Sequence, residues 1–240
     1  MMSKNREFAF DIPVDGVSRA YLSMQELMDQ DICHKKQKEW EKAKAVLEYA
    51  TECSYLPAEI ELANLYKTTP ELGIPHAERY CEAEHIYHRV LNILDLSAEM
   101  TATITLELAD LYGNYMKRPI GGLAMLLRAK RLGKNVPDRT LETCRRQIAQ
   151  MDINDFGKDT MSAFDLASEL LLLGTADRFV ELLLRECVES HKSSLRGRAA
   201  LSLADFYNDR QTEYATYRKE AERYYRIAHE NGFPEYLRIK

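Results

Sequence analysis

The 240-residue chain carries 33 Lys and Arg against 38 Asp and Glu, a net charge of −5. That balance excludes a general electrostatic attraction to nucleic acid or anionic membrane, and no stretch approaches the roughly 18 apolar residues that span a bilayer. Hydrophobic residues make up 45%, with only 10 Gly and 7 Pro, which predicts a soluble, helix-rich globular chain with no membrane insertion.

Residues 1–35 open with "MMSKNREFAFDIPVDG", which lacks the apolar core of a signal peptide. An amphipathic capping helix is predicted in "VDGVSRAYLSMQELMDQDICHKK". The five cysteines are odd in number and show no CxxC spacing, a pattern of reduced thiols that predicts a cytoplasmic protein.

Residues 36–133 repeat themselves. "LANLY" at Leu62–Tyr66 recurs as "LADLY" at Leu108–Tyr112, and again beyond this region as "LADFY" at Leu203–Tyr207, with a weaker "LASEL" at Leu166–Leu170. Leu, Ala and Tyr at these spacings share one side of a helix, and the small Ala admits a close neighbour. Each copy is associated with a second helical segment in which gaps of seven and four residues return to one face. The clearest are Gly122, Ala129, Gly133 and Ala221, Ala228, Gly232; Ala43, Ala50, Ser54 and Ala83, Val90, Leu94 are degraded forms. The closing Gly suits a left-handed helix end.

Residues 134–160 interrupt the series. A short helix through Met151, capped by Asp138 or Thr140, is predicted there, followed by an Asp/Asn/Gly loop, so that the segment reads as a joint. Residues 161–240 resume the repeats and close with "PEYLRIK" as a C-terminal cap. Second helices start near 43, 83, 122, 179 and 221, most of them about 40 residues apart. A helix pair this short cannot bury its apolar stripe alone, which predicts an all-α solenoid of stacked antiparallel helix pairs.

These spacings resemble the Sel1-like repeat, a relative of the tetratricopeptide repeat. Ala58, Leu62, Ala63 and Tyr66 match its first helix, as do Leu108, Ala109 and Tyr112, and Ala200, Leu203, Ala204 and Tyr207. The double Ala before the closing Gly and the family's loop Gly-x-Gly are absent. The resemblance implies that first helices line a concave groove, with exposed positions two, five and six residues after the motif Leu. Carried over, these are Asn64, Lys67 and Thr68; Asp110, Gly113 and Asn114; and Asp205, Asn208 and Asp209. Asn or Asp recurs at the first position with no packing need, and such amides commonly hold a ligand's main chain.

No phosphate-binding, dinucleotide, nucleophile-elbow or HExxH motif is present. Cys81, Glu82, His85 and His88 lie on adjoining helical turns but lack the partner helix of a di-iron site, so they read as surface residues. Cys33 and His34 are adjacent and point apart. Tyr66, Tyr112 and Tyr207 fall on the core face, and "RAKRLGKN" reads as a solvated basic helix end. The expectation is a non-catalytic module, without metal or cofactor, that binds a protein or peptide in its groove and does not bind nucleic acid. The alternative is a sensor that binds a small molecule or short peptide and bends at residues 134–160; a metal-dependent enzyme is third.

Overall fold

A computed structural model describes residues 8–9, 21–22, 24–152, 159–175, 177–190, 193–210 and 215–233. Among these residues it is helical, with eleven α-helices, apart from a two-residue antiparallel pairing of Phe8–Ala9 with Tyr21–Leu22. The predicted cap in "PEYLRIK" and the loop at 153–158 lie outside the described residues. No described helix is long and apolar enough to cross a membrane.

The chain divides into two compact units, Met1–Ser97 and Ala98–Lys240. The first contains α1 (Met24–Gln37), α2 (Trp40–Glu52), α3 (Leu56–Thr68) and α4 (His76–Leu91), each packed on the next. The predicted amphipathic cap is α1, and it starts at Met24, because Tyr21–Leu22 is taken up by the pairing with Phe8–Ala9.

The second unit contains α5 (Ala98–Asp110), extended by a wider π-helical turn over Leu111–Tyr115, then α6 (Pro119–Arg131) and α7 (Asp138–Ala149). It continues with α8 (Thr160–Leu172), α9 (Arg178–Glu189), α10 (Ser193–Asn208) and α11 (Ala215–Glu230). Successive helices pack on one another with one exception: α6 packs directly on α8 as well as on α7. The division between units falls at Ser97, outside the 134–160 joint expected from the sequence. The short helix expected there is α7, but its N-cap is Pro137, and neither Asp138 nor Thr140 caps it by a side chain.

Sequence explains where these helices start and stop. Asp159 and Asp177 cap α8 and α9 by accepting from Ser162 N and from Phe179 and Val180 N, which satisfies orphan donors of the first turn. Three second helices end on the expected left-handed residue: Ser54, Gly133 and Gly232, with φ of 59°, 92° and 83°. In each, the next amide reaches back to the motif Ala. Tyr55 N donates to Ala50 O (3.1 Å), Lys134 N to Ala129 O (3.0 Å) and Phe233 N to Ala228 O (3.1 Å), the long bond of a Schellman ending.

The faces that pack are the motif faces. Ala63, Ala109, Ala167 and Ala204 are buried, as are Tyr66, Tyr112 and Tyr207. Each fully buried leucine, such as Leu47, Leu108 or Leu183, stabilises its pair by about 2 kcal/mol. At Gly121 a Cβ would stand 2.7 Å from Ser162 Oγ and 2.9 Å from Tyr112 Cδ2. This explains Gly121 at a place where the corresponding helices carry Lys42, Glu82 and Glu220: only a bare backbone lets α6 sit against both Tyr112 of the wide turn and Ser162 of α8.

Candidate partner-binding site

The residues picked by position on the first helices are not equivalent. Asn64 is half-buried, and its Oδ1 accepts a 2.6 Å bond from the Tyr87 hydroxyl of α4. Asp205 Oδ1 accepts a 2.7 Å bond from the Tyr225 hydroxyl of α11. In both units the polar residue two places after the motif Leu therefore ties its helix to the second helix of the pair. This corrects the expectation that no packing need explains Asn or Asp there. Burial, then the Asp205 carboxylate, holds the Tyr225 hydroxyl protonated well above the usual phenol range.

Lys67 was expected on the exposed inner face, but it is only 4% exposed. It follows the core residues Leu65 and Tyr66 on α3, and the turn ends one residue later at Thr68, whose Oγ1 donates to Asn64 O (2.8 Å). Close by lies a cation that sequence reasoning missed. The Arg79 guanidinium is 1% exposed and donates to Tyr66 O (2.8 Å) and Ile74 O (3.2 Å), with His76 Nδ1 at 2.8 Å. It neutralises the negative end of α3, as a buried charge at a helix C-terminus must.

Asp110 precedes the wide turn and Asn114 lies within it, its Nδ2 donating to Asp110 Oδ1 at 2.6 Å. A π-helical turn places residues five apart in register, and such bulges concentrate at functional sites. Gly113 faces a cavity of about 550 Å³ also lined by Lys117, Arg118, Gln147, Gln150 and Asp159. Asp205 and Asp209 line a different one, about 490 Å³, with Ser202, Gly174 and Arg210. Asp110, Asn114 and the half-buried Asn208 line neither. Among the predicted positions, the exposed set is thus Thr68, Asn114, Asp205 and Asp209, with Asp110 half-exposed.

Behind these cavities runs a charged seam on one side of α8. At its start Arg118 Nε donates to Asp159 Oδ2 (2.7 Å) and its Nη2 to Ser162 Oγ (3.3 Å). At its end Arg131 holds Glu169 with two bonds of 2.8 and 2.9 Å, the strong bidentate form. The run "RAKRLGKN" is therefore more than a solvated helix end: Arg131 is paired with Glu169, and Lys130 with Asp138 at 3.1 Å. Burial raises the Asp159 carboxyl, but the bonds from Arg118 and Ser162 outweigh it and hold the group below its ordinary range. Between the two ends sits Asp165, which burial pushes up to about 6 despite the charges of Arg128 and Arg198; Asp159 and Glu169 push the same way.

This seam had a legible signal. Arg131 and Glu169 are 38 residues apart and Arg118 and Asp159 are 41 apart, close to one repeat period. Opposite charges at that separation join a second helix to the next first helix.

The other groups weighed for chemistry are placed as follows. Cys81, Glu82 and His85 are exposed on α4, and no cluster of three His, Cys, Asp or Glu suited to a metal ion occurs among the described residues. Cys33 Sγ accepts from Gln37, while Glu39 accepts from His34 Nδ1 at 2.7 Å, so the two neighbours point to different partners. All five cysteines are free thiols, and burial pushes Cys187 up to about 12, far from a thiolate at neutral pH. No protein-family model matches the chain, and no curated protein matches it.

Proposed function

We propose that this chain is a non-catalytic interaction module of the Sel1-like, tetratricopeptide-related class. In this reading the helix pairs stack as a solenoid in a reducing, cytoplasmic setting and hold a protein or peptide segment along the first helices. One observation carries the reading: the same two joints recur in both units. The second helices of three pairs close on a left-handed residue bonded back to the motif Ala. In two pairs the motif Asn or Asp receives a tyrosine hydroxyl from the second helix. A repeated joint of this kind supports a modular scaffold whose exposed face is the part free to recognise something.

The contact residues best supported are Asn114, Asp205 and Asp209, with Asp110 and Asn208 half-exposed beside them, while Asn64 and Lys67 contribute more to the frame than to the surface. Carboxylates and amides on a helix face offer hydrogen bonds to an extended peptide backbone. Affinity capture from native lysate tests this, comparing the wild-type chain with Asp110→Arg/Asn114→Arg/Asp209→Arg. Asn64 and Asp205 stay in place because their loss would also unseat Tyr87 and Tyr225. A protein retained by the wild type and lost by the variant, with helical circular dichroism unchanged, is the expected result. Equal retention by both forms removes these residues from the interface.

A further inference from the structure

One helix of the second unit fits the repeat poorly. α7 packs on α6, while α6 continues directly onto α8, so α7 is an insertion on the flank of the array. Its C-terminal end separates two recesses. One is the cavity beside Gly113, whose wall includes Ile120, Gln147, Gln150 and Met151. The other, about 590 Å³, is lined mainly by apolar residues, among them Ile148, Met151, Leu170 and Phe179, together with Asp177, whose carboxylate is engaged in capping α9. Met151 belongs to both walls, so the two recesses adjoin. An opening this large and this apolar is a place where aliphatic or aromatic side chains would leave water.

Charge around these recesses departs from the rest of the chain. Residues 117–146 carry nine Lys and Arg against two acids, in a protein whose net charge is −5. Four of the nine are paired: Arg118 with Asp159, Arg131 with Glu169, Lys130 with Asp138 and Arg146 with Glu142. Of the other five, Arg128 acts on Asp165 of α8, while among the described residues Lys117, Lys134, Arg139 and Arg145 enter no ion pair, and Lys117, Arg139 and Arg145 are exposed. Lys117 lines the first recess and Arg145 the second. Lys117 is held there by backbone geometry, at φ 55° immediately after the wide turn of α5.

We propose that this flank of α7 is a docking surface for an acidic, amphipathic peptide segment of a partner protein. Two of its apolar side chains enter the adjoining recesses, and its carboxylates meet Lys117 and Arg145 at their rims. Charge complementarity selects the acidic partner, and the apolar lining selects a peptide over nucleic acid, because a sugar–phosphate backbone gains nothing from recesses walled by Leu, Ile and Phe. Rim charges of this kind act mainly on association rate and salt dependence, while the buried anchors set residence time. The surface adjoins the first-helix face at Gly113, but Asp110, Asn114, Asp205 and Asp209 line neither recess, and its variants leave those residues in place.

The test is fluorescence anisotropy of the full chain with a short labelled peptide bearing Glu and Asp on one helical face and Leu and Phe on the other. The same peptide with Lys for its acids, the same peptide with Ser for its Leu and Phe, and a labelled single-stranded RNA complete the set. Expected is saturable binding of the acidic apolar peptide that weakens with added salt. It falls at least about tenfold in the Lys117→Glu/Arg145→Glu chain, and by a similar factor for each altered peptide. Both substitutions are at exposed positions, and unchanged unfolding of the variant shows that the fold is kept. Binding that survives the charge reversal, binding of the Ser peptide as tight as the original, or tighter binding of the RNA each overturns the proposal.

Discussion

Replacing Tyr207 by Ala is expected to remove about 3–5 kcal/mol of stability, enough to unfold much of a marginally stable chain. Tyr207 is 0% exposed on α10 and joins three helices. Its ring stacks on Tyr224 of α11 at 5.8 Å, with Tyr217 at 5.1 Å and Phe206 edge-on at 5.5 Å. Its hydroxyl donates to Glu181 Oε1 and accepts from Arg185 Nη2, each at 2.7 Å, both on α9. Tyr207→Phe keeps the ring and loses only the hydroxyl. Arg185 and Glu181 already lie 2.9 Å apart and can satisfy one another, so that variant is expected to lose only about 1 kcal/mol. Urea unfolding followed by circular dichroism separates the two. Equal losses would mean that the hydroxyl bonds to α9, and not the aromatic cluster with α11, supply the stability that Tyr207 contributes.

Asp165→Asn is expected to act in the opposite direction. A carboxyl raised from 3.8 to about 6 in the folded chain binds its proton more tightly there than when unfolded. Folding stability therefore falls as pH rises between those two values, and above about 6 the whole penalty of a desolvated carboxylate is present. An amide carries no such penalty. The variant is expected to gain about 2–3 kcal/mol near pH 7.5, at ~1.4 kcal/mol per pKa unit, and the gain is expected to fade as pH drops through 6 toward 4. Denaturant unfolding of both proteins across that range checks it. A loss of stability near neutral pH would show instead that Arg128 and Arg198 hold Asp165 as a stabilising carboxylate.

These two residues also mark the limits of what the sequence discloses. Tyr207 belongs to a motif seen three times, so its place on the core face follows from spacing alone: side chains at Leu203, Ala204 and Tyr207 must share one side of a helix. The left-handed endings at Gly133 and Gly232 are legible for the same local reason, and even the degraded register at Ser54 keeps the conformation. Asp165 is different. It stands one place before Leu166 in the weakest copy of the motif, and its character comes from burial by the packed helices, opposed by Arg128 and Arg198 on two other helices. Local periodicity carries no record of such neighbours. Asn64 failed for a related reason, since its partner Tyr87 lies 23 residues away in a helix whose own motif is degraded. The burial of Lys67 was hidden too: a count of positions after the motif Leu gives the angle around α3, but not which turn the neighbouring helices cover.

The claim at the centre of this account is that the exposed polar positions of the first helices receive a partner. Hydrogen–deuterium exchange on the full chain, with and without the protein that affinity capture identifies, tests it most directly. Binding is predicted to slow exchange in the segments holding Asp110–Asn114 and Asp205–Asp209, at the wide turn of α5 and the end of α10. Exchange unchanged in both segments, with the partner demonstrably bound, would contradict the account and place recognition on another face.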